Sequence, residues 1–535
     1  MAIERWTPSR TYTKQEQLLL GRLKRKRALY AFLRNHRHEL FDEKFQEELE
    51  SMYRDSGAGK PPKPPALMAM VLLLQGYSGA SDGDAVELSV VDLRWQMVLD
   101  RLGADEPAFS QGALFEFRQR LIGADLDRRL LERTVELARA TKAFDWRKLP
   151  KTLRVAMDSS PLEGAGRVED TINLLAHAGR KIVACVAQLL EWTQERVCRE
   201  AGIPLLLESS VKKALDLDWS DPDEKAAAVP MLVEQLARLD LWVSLRLPDE
   251  MKRPPLKEQV ETLRQLVNQD LEPDPSGGGP RIRTGVAEDR RVSVEDKEMR
   301  HGRKSKSKLF NGYKRHLGID LDTFLTLACA VTAANQPEAI AAADLTADIR
   351  SVAGEIDELY IDRGYINAPV VDEILARRGD VVARPWVSRN GKLFAKNDFT
   401  INMRDRTITC PAGEQQRIRL GTTVEFPPEA CDRCPLRAQC TDAALGRGRT
   451  VAIADNEVLQ HRLRRRAATP AGRRRLRERV PVEHRLAHTS RRQGRRARYN
   501  GIRKNLFDLR RASAIGNLEI IQGWQVAAAS LARAA

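Results

Sequence analysis

The sequence predicts a mixed α/β core, preceded by an all-α region and interrupted by a large helical insertion and a Cys-rich insertion. Two observations lead there. β-type runs recur at residues 152–158, 310–320, 324–332, 358–361 and 381–386, with helical stretches among the later ones, the alternation of a mixed sheet. Outside that core, apolar residues recur at helical spacing instead. At 535 residues the chain exceeds what one hydrophobic core usually serves. The predicted division is a helical N-terminal domain over 1–148, a core made of 149–169, 281–398 and 452–535, a mainly helical insertion over 170–280 and a Cys-rich insertion over 399–451.

The first 60 residues read as charged helices, closed by a Gly/Pro breaker cluster at 57–65. Apolar helices follow over 66–75 and 92–102. Ser110 is placed to cap a third, whose Leu114, Phe117 and Leu121 recur at helical spacing. Arg118 and Arg120 flank that stripe, where a DNA-reading helix competes with a plain exposed flank. The run before Asp158 ends on that acid and a Ser-Ser-Pro loop. Residues 171–271 read mainly as helices, and the breaker at 273–280 ends them. The two runs at 310–320 and 324–332 form a hairpin around Leu321, Asp322 and Thr323. An Ala-rich helix covers 339–352, and the run at 358–361 ends on Asp362. Asn367 then caps a helix over 368–378, before a strand over 381–386.

A formal net charge of +15 calls for a polyanionic partner, with nucleic acid the leading candidate. Between positions 461 and 511 there are 19 Lys and Arg against 3 acids, so this stretch carries the excess. A solvated basic face is the alternative. Against it, Leu463, Leu476, Leu486, Tyr499, Leu506 and Phe507 interrupt the charges as in packed helices. The N-terminus lacks a signal-peptide core, and the longest apolar run is too short to span a bilayer. Seven cysteines, four in one block, fit a reducing compartment. The expectation is a cytoplasmic, nucleoid-associated protein with no membrane contact. No Gly-x-x-x-x-Gly-Lys-Ser loop occurs, so no nucleotide cofactor is expected.

Strand-end acids suit metal-assisted phosphoryl transfer, which needs hard oxygen ligands around two divalent ions about 3.5 to 4 Å apart. Asp158 and Asp362 meet that demand only if their strands are neighbours and a third acid approaches from a later helix. A turn or cap role competes for each. Cys410, Cys431, Cys434 and Cys440 contain a Cys-x-x-Cys half-site that suits tetrahedral zinc, with an iron–sulfur cluster or a reduced structural group as alternatives. Cys185, Cys198 and Cys329 read as core residues. Lys304, Lys306 and Lys314 place cations before and within the hairpin, where phosphate contact competes with a solvated loop.

From about residue 153 to 521 the chain resembles bacterial insertion-sequence transposases of the DDE type, which have an RNase H-like core. The residues that carry this are Met157-Asp158-Ser159-Ser160-Pro161, Met299-Arg300-His301-Gly302-Arg303, Asn311-Gly312-Tyr313-Lys314, Ala333-Ala334-Asn335, and Tyr360-Ile361-Asp362-Arg363-Gly364-Tyr365. They continue through the cysteine block to Arg479-Val480-Pro481-Val482-Glu483, Arg498-Tyr499-Asn500-Gly501 and Asn517-Leu518. The segment around Ser110 also resembles the helical domain that precedes the catalytic core in such proteins. The resemblance implies Asp158 and Asp362 as the first two metal ligands and Glu483 as the third, with Glu478 and Glu519 as rivals. It also implies Mg²⁺ or Mn²⁺ as cofactor, and double-stranded DNA, both element ends and target, bound by a homo-oligomer. Arg479 falls one turn before Glu483 in an Arg-x-x-x-Glu spacing similar to the family's motif; an intrahelical ion pair is the plainer role. Relatives often carry a Tyr and a Lys where Leu476 and Ser490 stand here; Arg491 and Arg492, with Arg498, are the replacement DNA contacts. Two readings compete with transposition: a catalytically inactive DNA-binding protein, and a two-metal nuclease that cuts without joining.

Overall fold

The computed structural model describes residues 3–24, 27–53, 61–141, 146–215, 217–218, 220–275, 277, 279–305 and 307–534. Its centre is a mixed sheet of β1 (Arg154–Glu163), β2 (Arg300–Arg303), β3 (Leu309–Asp320), β4 (Thr326–Ala333), β5 (Glu358–Ile361) and β6 (Asp380–Val382). β3 runs antiparallel to β1 along one edge and to β2 and β4 along the other; β5 and β6 extend the sheet from β1 in parallel. Val155, Ala156 and Met157 of β1 and Leu359, Tyr360 and Ile361 of β5 are all buried. Near-continuous apolar runs of this kind are what a sheet covered on both faces demands. At Gly312, φ is +148° and a Cβ would lie 2.3 Å from the Leu162 carbonyl, so only glycine lets β3 approach β1 there.

The sequence-based bounds shift in three places. β1 does not end at Asp158 but continues to Glu163, because β3 pairs with it as far as Gly312. The hairpin turn extends to Phe324, whose φ of 62° is left-handed, while the Asp320 carboxylate accepts from the Asp322 N–H at 3.0 Å and the Thr323 hydroxyl at 2.6 Å. The strand expected to reach residue 386 stops at Val382, ahead of Pro385, which has no N–H to donate.

The principal helices are α1 (Ala28–Leu40), α2 (Pro65–Ser78), α3 (Gln111–Gly123) and α4 (Leu126–Ala140), then α5 (Thr171–Leu189), α6 (Pro222–Arg246) and α7 (Leu256–Asp270). After them come α8 (Ala341–Ala353), α9 (Pro369–Ala376), α10 (Glu457–Ala468), α11 (Pro470–Arg477), α12 (Val480–Gln493) and α13 (Ile502–Ala534). Ser110 caps α3 by accepting the Ala113 N–H at 3.2 Å. Asn367 does not cap α9: its side-chain oxygen accepts from the Asn456 amide at 3.1 Å, and Ala368 flanks the helix. Of the breaker cluster, residues 57–60 lie outside the described residues, and Pro64 leads directly into α2. Among the described residues no helix is long and apolar enough to cross a membrane.

One apolar core runs from Trp6 through α1 to α4, the sheet and α13. A second is confined to the α5–α7 region, between Ile172 and Val294. A third, around Phe399, Ile408, Phe426 and Val451, belongs to two small sheets of the cysteine region. α13 is the common member of the main core. At its start the Ile502 N–H donates to Glu298 at 2.8 Å, and the Gly501 N–H to the Tyr313 hydroxyl at 3.0 Å. Arg510 donates to Asp125 at 2.6 Å and Arg511 to Gln75 at 2.9 Å, tying α13 to the N-terminal helices. Asn517 is fully buried. Its amide donates to the Thr134 hydroxyl and the Thr326 carbonyl, both at 2.9 Å, and its oxygen accepts the Thr326 N–H at 2.8 Å. Asn517→Leu strands those partners without water, so stability should fall by about 3 kcal/mol or more. A thermal unfolding midpoint equal to that of the unsubstituted chain would show that the amide does not join these layers.

Candidate active site

β1 and β5 pair in parallel from Arg154 with Glu358 up to Met157 with Ile361. The next residue after each of these is an acid, Asp158 within β1 and Asp362 just past the end of β5, and the two stand near one another in one cleft where the pairing stops. The Asp158 side chain is only 13% exposed, and its carboxylate accepts the Ser159 N–H at 2.8 Å. α12 brings another acid, Glu483, to the same place. Pro481 lies in its first turn, where a missing N–H is tolerated, so the helix starts at Val480 and Arg479 directly precedes it. The Arg479 guanidinium is 2.8 Å from Glu483 and 3.6 Å from Asp158. Arg479, Glu483, Leu486, Ala487 and Ser490 recur at helical spacing and turn one face of α12 toward the aspartates.

Together these residues line a cleft of about 480 Å³ whose acids are Asp158, Asp362, Glu338 and Glu483 and whose cations are Arg303, Lys304, Lys314 and Arg479. Burial, reinforced by the nearby Asp362 and Glu338 charges, pushes the Asp158 carboxyl up to about 6, against the pull of Arg479 and the Ser159 N–H. Burial lowers Lys314, whose ammonium donates to the Gln336 carbonyl at 2.7 Å. Behind Asp362, buried Tyr365 and His316 meet at 2.6 Å, and the other His316 nitrogen lies 2.9 Å from the Thr332 hydroxyl. Burial pushes His316 down to about 3, so it is neutral.

Of the cations expected to meet DNA, Lys304, Lys314 and Arg479 line the cleft, and Arg491 and Arg498 are exposed. Arg492 is instead paired with Glu519 and lies 5.2 Å over the Tyr77 ring. Lys306 lies outside the described residues. Neither rival acid reaches the cleft. Glu478 accepts from the Tyr360 hydroxyl at 2.9 Å and from Arg154, and Glu519 is held by His488 at 3.2 Å and by Arg492.

The acid that sequence reasoning missed is Glu338. It accepts the Ser159 hydroxyl at 2.5 Å, and its other oxygen is 2.1 Å from where a Cβ on Gly364 would stand. No spacing rule picks it out; the only sequence signal is its place three residues after Asn335 of the Ala-Ala-Asn motif.

Several carboxylates in one cleft, one of them held toward its neutral form, are the donor chemistry that a hard divalent cation satisfies. Among the described residues, however, no three His, Cys, Asp or Glu side chains are placed to hold a metal ion, and Arg479 is the cation between Asp158 and Glu483. Cys410, Cys431, Cys434 and Cys440 line one cavity of about 40 Å³, where Cys431 accepts the Arg449 N–H at 3.4 Å. Burial and the three neighbouring thiols push Cys440 up. Four soft donors around so small a cavity fit zinc in kind. Cys198 and Cys329 are buried and Cys185 is half-buried.

Residues 407–521 match the model of the Transposase DDE domain, and residues 22–120 match that of the Transposase domain (DUF772). The first match contains Glu483 and the cysteine block; Asp158 and Asp362 precede it. No curated protein and no solved structure matches the chain.

Because folding raises the Asp158 carboxyl from 3.8 to about 6, ionising it costs stability as pH rises through that window. Asp158→Asn removes the cost, so at pH 7 the variant should be more stable by on the order of 2 kcal/mol, an advantage that fades toward pH 4. Unfolding midpoints measured across this range that show no advantage at pH 7 would mean that the carboxylate is not desolvated.

Proposed function

We propose that this chain, supported by its two family matches as an insertion-sequence DDE-type transposase, cuts the ends of its element and joins the freed 3′-hydroxyl to target DNA in this cleft, on an RNase H-like core. The observation that carries the reading is the nearness of Asp158 and Asp362 in a cleft that Glu483 and four cations also line. Asp158, Asp362 and Glu483 would hold Mg²⁺ or Mn²⁺, which when bound stabilises charge on the attacking and leaving oxygens of both phosphoryl transfers. Arg303, Lys304 and Lys314 meet the phosphates of the strand, and Arg479 offers a guanidinium to the scissile one. Arg491 and Arg498 extend the positive path along the duplex. Residues 1–148 bind DNA beside the core, residues 170–280 and 399–451 are appendages to it, and two or more copies assemble on the element ends. The cysteine site holds a structural zinc.

Asp158→Asn, Asp362→Asn or Glu483→Gln should each abolish Mg²⁺-dependent cleavage of end DNA while leaving DNA affinity nearly unchanged. A fully active variant removes that residue from the site. Joining of a pre-cut end to target DNA separates a transposase from a nuclease that only cuts. Binding by the unsubstituted chain that weakens with salt, with no cleavage at all, would instead make it a non-catalytic DNA-binding protein. Elemental analysis should find one zinc per chain, lost in Cys431→Ser and Cys434→Ser; an unsubstituted chain purified without chelator and free of zinc rules the zinc site out.

A further inference from the structure

Past Met157 and Ile361 the backbone ladder between β1 and β5 stops, so the two positions that bear the aspartates are not joined by the sheet. Glu338 spans that gap. It lies on a single turn of 3₁₀ helix, Glu338–Ile340, between β4 and α8, after Pro337. One carboxylate oxygen accepts the hydroxyl of Ser159, whose own N–H holds the Asp158 carboxylate. The other oxygen fills the space above Gly364, two residues after Asp362. The Lys314 ammonium donates to the Gln336 carbonyl at 2.7 Å and is drawn to Glu338 by its charge. On the next residue of β1, the Ser160 hydroxyl accepts from buried Arg315 at 3.0 Å, so consecutive residues beyond Asp158 are each clamped by a side chain.

We infer that Glu338 is a positioning residue that fixes the separation of Asp158 and Asp362 by bridging Ser159 to the Gly364 turn, acting through its shape and its acceptor oxygen. The inference rests on the transposase reading of the cleft. A methyl at position 364 would meet the Glu338 carboxylate and push it aside.

The test measures Mn²⁺ binding by calorimetry, single-turnover cleavage of end DNA at saturating DNA, and DNA affinity, for Glu338→Ala, Glu338→Gln, Ser159→Ala and Gly364→Ala. Glu338→Ala should lower the cleavage rate by about 30-fold and Mn²⁺ affinity by about 10-fold, with DNA affinity within about 2-fold. Glu338→Gln keeps the acceptor and the bulk, and should recover the rate to within about 3-fold. The double variant Ser159→Ala with Glu338→Ala should be no worse than Glu338→Ala alone. A Glu338→Gln chain as inactive as Glu338→Ala overturns the inference, because the charge rather than the bridge would matter. So does an unaffected Glu338→Ala. Should Glu338→Ala fail to fold, Gly364→Ala reads the same bridge with Glu338 present, and a fully active Gly364→Ala overturns it. An unsubstituted chain that neither cleaves nor binds Mn²⁺ defeats the transposase reading itself; one that cleaves while Glu338→Ala matches it defeats only this inference.

Discussion

The parallel pairing of Met157 with Ile361 is the constraint on which the cleft depends. A strand's side chains alternate between faces, so a slip of one residue between β1 and β5 would turn one aspartate away from the other and put an apolar neighbour in its place. The register is held by burial on both sides: Val155, Met157, Leu359 and Ile361 have no exposed alternative to exchange with. It is also held at a distance. β1 and β3 are consecutive antiparallel strands of the sheet, yet the chain between them contains the whole α5–α7 region with its own core. A tight turn therefore does not set their alignment; the close approach of Gly312 to β1 does.

The positive charge divides into two populations. Many arginines of the basic stretch are internal ties: Arg464 pairs with Glu457, Arg466 and Arg475 with Asp380, and Arg492 with Glu519. Arg315 and Arg485 are buried with mostly neutral partners, and burial pulls both guanidinium groups down to about 10. These join β1, β4 and α13 to α12 and are unavailable to a ligand. Arginine suits such sites because its planar fork satisfies several acceptors at once. Of the other cations, Arg303, Lys304, Lys314 and Arg479 line the cleft with the carboxylates, while Arg465, Arg474, Arg477, Arg491 and Arg498 are exposed on the surface.

The two aspartates were legible because each follows a short apolar run, a local pattern that survives into the fold. The continuation of β1 beyond Asp158 was not, since Ser-Ser-Pro reads as a loop. Between Met157 and Glu163, where the segment around Arg496 takes up the β5 edge of β1, no described strand pairs with that edge, so Pro161 has no ladder bond to fail, and its carbonyl accepts from Arg315 at 2.9 Å. Glu338 was invisible for a different reason. Its role comes from contacts with Ser159 and Gly364, 179 residues earlier on one side and on a separate turn on the other, and no periodicity encodes such a meeting. The internal engagement of Arg492 was likewise hidden, because a one-dimensional charge count cannot tell a buried pair from a free cation.

The acids differ in how firmly the fold holds them. Asp158 lies within β1 and Asp362 directly follows β5, both beside buried neighbours, whereas Glu483 is on the first turn of α12 with 49% of its side chain exposed. The helix body is anchored by buried Val482, Arg485, Leu486 and Thr489, so its axis is fixed, while half-exposed Glu483 pairs with Arg479, a largely covered guanidinium that also faces Asp158. A carboxylate at a helix N-terminus is favoured by the exposed N–H groups there, and the adjoining guanidinium balances it. This arrangement makes sense of the Arg-x-x-x-Glu spacing: one helical turn sets the Arg479 guanidinium between Glu483 and Asp158, where it faces both carboxylates. The sheet thus fixes Asp158 and Asp362 directly, whereas Glu483 and its arginine are placed only through the helix that carries them.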